Sequence, residues 1–371
     1  MTRFFTKKYD KSIQPFWAML YRKFRPSSHY LGLDIGSRLI KIVQLKYHAG
    51  EWHLSDVRVK DVSIETDTPI DNSKEYGVVE VLRCLIMDMG IEGENVAISL
   101  SGPSVIMKPI EMPWMSEEEL KGHLEWEVER YLPYEREDVY WDYYVPQRSQ
   151  QHHKSSMLVY LVAAKKNIVD QRVALVRQAG LCPVVVDIDC VALANMYTLH
   201  DHVSEKSPGL LINVSPSGLN MITVGKPEHF SMRDAALGGE WDHDLFGEEG
   251  SQGVRVDETD DNEQVEAKAD FDELLNEVYR EILYEVRRAM DDCHLYENGQ
   301  AVQQIWLCGG YAHLPGLVAR LSSQLHVPVN IINSFHHLNK TDMADREKIL
   351  DSLPSVAAVA VGLALRCSKD Q

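Results

Sequence analysis

Asp34, Gly36, Ser37 and Lys41 stand close together in LGLDIGSRLIKIVQL (31–45), and residues of these types at this spacing can handle a phosphate. An aspartate at the end of an apolar strand can hold Mg²⁺ through water, and a glycine lets the following turn approach an anion. The turn amides then donate to phosphate oxygens, while the lysine offers a fixed cation. A polar turn between two strands also describes an ordinary hairpin, so this run alone leaves both readings open.

A second copy narrows the choice. NVSPSGLNMITV (213–224) aligns with DIGSRLIKIVQL (34–45) at a constant offset of 179 residues, strand for strand and turn for turn. Two such halves facing each other would form a cleft with a phosphate hairpin on each wall. The copies differ in chemistry: Asn213 replaces the aspartate, and Ser215 followed by Pro216 replaces the glycine-centred turn. An amide brings no full charge to Mg²⁺ and proline has no N–H, so the second wall is expected to grip phosphate less well. WLCGGYAHLPGL (306–317) reads as a strand, the pair Gly309 and Gly310, and a helix start at Pro315, with Tyr311 placed to stack on a flat ring or to obstruct it. Asp187 and Asp189 end another strand. Either carboxylate could orient a water, although carboxylates at strand ends are common without catalysis.

Longer strings carry a resemblance. The segments 101–145 (SGPSVIMKPIEMPWMSEEELKGHLEWEVERYLPYEREDVYWDYYV), 161–189, RDAALGG (233–239), EVRRAMD (285–291) and AVAVGLALR (358–366) are similar to the PilM family of type IV pilus assembly proteins. That family is related to the division protein FtsA within the actin-like ATPase superfamily. The resemblance implies an α/β fold of two actin-like lobes, duplicated RNase H-like units, with a small FtsA-type αβ insert. It implies ATP and Mg between the lobes. Asp34, Gly36, Ser37 and Lys41 fall on the first phosphate motif, with Asp34 reaching Mg through water. Asn213 and Ser215 fall on the second motif, and Gly238, Gly239, Gly309, Gly310 and Tyr311 on the turns around the nucleotide. Glu285, Arg287 and Arg288 lie on a long helix near the nucleoside, where a solvated charged face explains the pattern equally well. Catalytic residues stay unassigned beyond the candidates Asp187 and Asp189, and the altered second wall points to ATP binding with slow or absent hydrolysis.

The implied partner is the cytoplasmic N-terminal tail of PilN, an extended apolar peptide docking between the first lobe and the insert. Met107 to Trp114 and the helix after Ser116 would offer backbone pairing and apolar pockets. Contacts with other pilus platform and motor proteins are implied as well. An FtsA-like membrane-tethered filament is the alternative reading. A sugar kinase of the same superfamily is more distant, because no sugar pocket or catalytic aspartate beside the phosphate turn is evident.

Composition sets bounds on these readings. A chain of 371 residues exceeds a single core, so two or more domains are expected. The six cysteines show no CxxC spacing and read as buried reduced thiols, consistent with a cytoplasmic protein peripheral to the inner membrane. The longest apolar run, 356–365, is half of the ~20 residues that span a bilayer, and the N-terminus lacks a signal-peptide core. A net charge of -18 argues against nucleic acid as a partner. Residues 240–285 hold 17 acids and 3 basic residues, which reads as a solvated acidic loop and helix. No P-loop, HExxH or GxSxG motif is present, and the pairs His152-His153 and His336-His337 read as surface residues rather than metal ligands.

Residues 1–29 have the opposite sign, with seven Lys/Arg against one acid. Ile13, Phe16, Trp17, Leu20, Tyr21 and Phe24 recur at helical spacing, which makes this arm a basic amphipathic helix. Such a helix suits an anionic membrane surface, and it equally suits packing on the body or on a partner. The organisation expected is the arm at 1–29, a first lobe from 30–100 and 188–208, the insert at 101–187, a second lobe from 209–239 and 300–371, and an acidic loop with a helical subdomain at 240–299.

Overall fold

Two five-stranded sheets repeat one plan. The computed structural model describes residues 30–62, 73–100, 105–145, 156–199, 208–216, 218–224, 231–237, 261–296, 301–340 and 352–366. The basic arm (1–29), the glycine pair Gly238-Gly239 and the acidic stretch up to residue 260 lie outside these described residues.

In the first sheet β1 (Tyr30–Ile35), β2 (Leu39–His48) and β3 (Glu51–Asp61) form an antiparallel meander. On its other side β1 pairs in parallel with β4 (Asn95–Leu100), and β4 with β8 (Cys182–Ile188). The second sheet does the same with β9 (Gly209–Ser215), β10 (Gly218–Val224), β11 (Met232–Ala235), β12 (Gln304–Cys308) and β13 (Val329–Ile331). Its order, β11-β10-β9-β12-β13, mirrors β3-β2-β1-β4-β8. The parallel strands β1, β4, β9 and β12 are almost wholly apolar because both of their faces are covered.

The covering helices follow from the sequence pattern. On the first sheet α1 (Ser73–Met89) and α3 (Lys166–Gln178) bury Val79, Leu82, Leu85, Val169, Val173 and Val176 against Leu31, Leu33 and Ile98. On the second sheet the long α5 (Asp261–Tyr296) buries Leu275, Val278, Ile282, Val286 and Ala289 at helical spacing, beside α6 (Leu317–Leu325). Between the sheets lie α4 (Asp189–Tyr197) and, after the short α7 (Leu353–Val356), α8 (Ala358–Arg366). These two are built from small and apolar residues because their backbones nearly touch. A Cβ on Gly362 would lie 1.8 Å from the Ala192 carbonyl oxygen, and one on Gly32 of β1 would lie 2.0 Å from that of Ala360. Glycine is required at both positions.

The insert is a three-stranded antiparallel sheet, order β5-β7-β6, with one helix. Its elements are β5 (Val105–Pro113), α2 (Glu117–Tyr131), β6 (Val139–Tyr144) and β7 (Ser156–Lys165). Ser116 caps α2 through the capping box read from the sequence: Ser116 N–H donates to Glu119 Oε2 at 2.8 Å, and Glu119 N–H donates to Ser116 Oγ at 3.4 Å. The expected insert boundary at 187 differs from the structure. Strand β8 hydrogen-bonds to β4, and α3 packs on the first sheet, so both belong to the first lobe and the insert ends with β7. No helix of the described residues is long and apolar enough to cross a membrane.

Candidate nucleotide cleft

The first wall is the β1–β2 hairpin. Asp34 pairs across the ladder with Lys41, and Lys41 Nζ reaches Asp34 Oδ2 at 2.8 Å in a site where both side chains are largely shielded from water. Gly36 N–H donates to Leu39 O at 3.0 Å, which closes a turn of Ser37 and Arg38. A Cβ at Gly36 would lie 3.1 Å from Leu39 O and 3.2 Å from Lys41 Nζ, so glycine keeps the lysine against the turn. Arg38 leans away, its Nε on Asp61 Oδ2 at 3.0 Å, and Ser37 is exposed.

The second wall repeats this geometry without the charge. Asn213 and Asn220 occupy the corresponding ladder pair, and Asn213 Nδ2 donates to Asn220 Oδ1 at 2.9 Å. Asn220 Nδ2 in turn donates to Asp234 Oδ1 at 2.9 Å on the neighbouring strand. Ser215 Oγ donates to the Gly218 carbonyl at 3.0 Å, and Gly218, at φ 136, has Ala235 O only 2.4 Å from where a Cβ would be. The bond thus joins the positions equivalent to Gly36 and Leu39, here through a side chain, and Pro216 contributes no amide.

Two further strand ends lie close to the first hairpin. Asp189, at the start of α4, accepts from Ser99 Oγ at 2.6 Å, and both are buried. Next to it, Cys190 Sγ donates to Asp234 Oδ1 at 3.2 Å, a direct contact from the first lobe to the second. Burial and the Asp234 carboxylate push the Cys190 thiol well above its usual range. Cys308, buried at the end of β12, is pushed up as well, by burial and then by Asp189 and Asp34. Arg172 Nη1 donates to the Ile35 carbonyl at 2.9 Å. Burial works against its charge, and Asp34 and Asp189 nearby offset that.

The remaining expected residues are placed as follows. Asp187 forms a buried ion pair with Arg366 of α8, Nε to Oδ2 at 3.2 Å, and also accepts from Ile188 N–H at 2.9 Å, so its carboxylate is engaged in the helix–sheet core. Gly309, at φ 90, backs onto the second wall, where a Cβ would lie 2.4 Å from Asn213 Oδ1. A Cβ on Gly310 would meet nothing within 4 Å. The Tyr311 ring packs into the apolar core of the second lobe, and Gly310 beside it is exposed while Gly309 is buried. On α5, Glu285 accepts from Arg233 and Arg288, and Arg287 donates to the Gln324 carbonyl. Cys190, Asp234, Arg172 and Arg366 were missed in the sequence. The RDAALGG string held Asp234, but a lone aspartate on a short strand gives no sign of a cross-lobe contact.

Oxygen donors and a fixed cation at a glycine turn suit a hydrated Mg²⁺ with a polyphosphate on the first wall, where Asp34, Gly36, Ser37 and Lys41 would hold it. The neutral second wall suits only hydrogen bonding to such a group.

The sequence pattern of the type IV pilus assembly protein PilM matches residues 32–368. The chain belongs to the PilM family. Among solved structures it is similar to the PilM–PilN type IV pilus biogenesis complex, with a TM-score of 0.71 at 22% identity, covering 92% of this chain and 98% of that one. It is also similar to the ethanolamine utilization protein EutJ from Carboxydothermus hydrogenoformans, with a TM-score of 0.46 at 14% identity over 92% and 90% of the chains. A Bacteroides thetaiotaomicron protein with an actin-like ATPase fold gives a TM-score of 0.43 at 10% identity, over 85% and 94%. The PilM-family fold here is the actin-like one expected, two lobes with an αβ insert.

The insert also shows where a peptide could and could not lie. The apolar stripe of α2, Leu120, Leu124 and Val128, is spent on the sheet core with Ile110, Val159 and Leu161, so it offers no open pocket. Within the described insert β5 is an edge strand. On the face opposite α2, Val105, Met107 and Val162 pack against the body, while Tyr144 and Tyr160 stack at 6.4 Å. Burial raises the Tyr144 hydroxyl to about 12.

Proposed function

We propose that this PilM-family chain is an ATP-binding adaptor of the type IV pilus inner-membrane platform, acting on the cytoplasmic side. It takes Mg-nucleotide between the lobes and the N-terminal tail of PilN at the seam between first lobe and insert. The observation that carries this reading is the Asp34–Lys41 pair at a glycine turn, matched by a second hairpin of the same register. Because Asn213 and Pro216 leave the second wall neutral and one donor short, nucleotide fixes the relation of the lobes more than it is turned over. The β5 edge and the aromatic face of the insert offer an extended peptide backbone pairing and side-chain contacts. Further contacts with platform and motor proteins, and of residues 1–29 with an anionic membrane, belong to the same proposal.

Calorimetry of the full chain with ATP, with and without Mg²⁺, and with a synthetic PilN tail peptide tests it. Mg-dependent binding with little phosphate release is expected, together with peptide binding. Folded protein that binds neither ligand overturns the proposal.

A further inference from the structure

Arg172 stands behind the first phosphate hairpin without belonging to it. It lies in the second turn of α3, which Val169, Val173 and Val176 hold against the first sheet. Its Nη1 donates to the Ile35 carbonyl at 2.9 Å, and on the far side of the same peptide Gly36 N–H donates to Leu39 O at 3.0 Å. Both polar groups of the peptide that enters the turn are thus held. Asp34 and Asp189, both buried, act on the guanidinium and offset the cost of burying it. The second wall is arranged differently: at Val214, the counterpart of Ile35, the carbonyl is approached by Gly309, where a Cβ would lie 2.4 Å away.

We infer that Arg172 is a positioning residue of the first phosphate hairpin: it fixes the peptide between Ile35 and Gly36 and supplies the positive charge that admits a polyphosphate beside Asp34 and Asp189 when no divalent cation comes with it. This rests on the function proposed above. A planar guanidinium holds a carbonyl in a set direction, which a flexible ammonium does less well. Lys41 already answers Asp34 at 2.8 Å, so Arg172 is left to answer Asp189 as a phosphate enters a site shielded from water. Mg²⁺ carries two positive charges of its own, and with it the share of Arg172 becomes smaller. The charge of this arginine therefore matters most for nucleotide without metal.

The test titrates ATP in EDTA, MgATP and adenosine into the full chain, for the native protein, Arg172→Gln and Arg172→Lys. Gln keeps a donor for Ile35 and removes the charge, whereas Lys keeps the charge and removes the planar fork. In Arg172→Gln the affinity for ATP in EDTA should fall about tenfold and that for MgATP by no more than about threefold, with adenosine unchanged. Arg172→Lys should keep the native ratio of the two ATP affinities to within about twofold. Equal losses with and without Mg²⁺ in Arg172→Gln, a matching loss for adenosine, or no loss at all overturns the inference. A native chain that binds MgATP but no ATP in EDTA overturns it too and leaves the functional proposal standing, while a native chain that binds no nucleotide removes both. Should Arg172→Gln fail to fold, Arg172→Lys decides: a ratio that departs from the native one defeats the inference.

Discussion

Asn213 and Asn220 face each other across β9 and β10 where Asp34 and Lys41 face each other across β1 and β2, and an amide hydrogen bond of 2.9 Å stands in place of an ion pair of 2.8 Å. The two walls share one backbone and differ in charge. Each pair is internally matched, so neither tolerates replacement of a single member.

Asn213→Asp should therefore destabilise the protein by about 1–3 kcal/mol, because the new carboxylate has no N–H to give Asn220 Oδ1. Asn220→Lys should destabilise it for the complementary reason. The double variant rebuilds the ion pair of the first wall, with the ammonium beside Asp234, and should recover most of the loss. Urea midpoints for the four proteins give the coupling, and simple additivity would show that the two side chains act independently.

Asp34→Asn removes the proposed Mg²⁺ anchor and leaves Lys41 without its charged partner. MgATP affinity should fall about tenfold, the equivalent of one charge-assisted hydrogen bond. Binding measured in EDTA should change far less. Equal losses with and without Mg²⁺ would mean that Asp34 serves only the hairpin.

Thiol reactivity follows from burial and charge. Cys190 and Cys308 are held as neutral thiols by burial and nearby carboxylates, and the thiolate is the reactive form. Cys84 is exposed. Alkylation at pH 8 followed by peptide mass mapping should label Cys84 and spare Cys190 and Cys308 until denaturant is added. Early labelling of Cys190 would show that its contact with Asp234 opens in the native state.

His313 gives a pH dependence of known sign. Its ring Nε2 lies 2.7 Å from Ser355 Oγ beside the glycine turn, and burial lowers its pKa below the usual histidine value. The unfolded chain then binds more protons near pH 6, so the stability that this residue confers is complete above the ordinary histidine value of about 6.5 and is lost as pH falls below it through the lower folded pKa. Melting temperatures from pH 7.5 to 5.5 should drop less steeply in His313→Asn than in the native protein. Parallel slopes would rule His313 out.

Much of this architecture was legible in the sequence. The repeated hairpin, the capping box at Ser116 and the strand at 95–100 are local patterns, and each appears where the residues put it. Helix α4 was not legible. All of its residues except Ala194 are buried, so DCVALANMY has no polar face and no helical period. The insert boundary was misplaced because β8 joins its sheet through β4, a pairing of distant segments that leaves no mark on either strand alone. Asp187 looked like a cleft residue for the same reason, since Arg366, its partner, lies almost at the other end of the chain.

Where α4 and α8 cross, Gly362 brings one peptide chain against the Ala192 carbonyl with no side chain between them. Contacts made by side chains can slip from one rotamer to another, but contacts made by main chain cannot. The spacing of the two helices is thus set by main chain at this point, and any side chain at position 362 would have to push them apart.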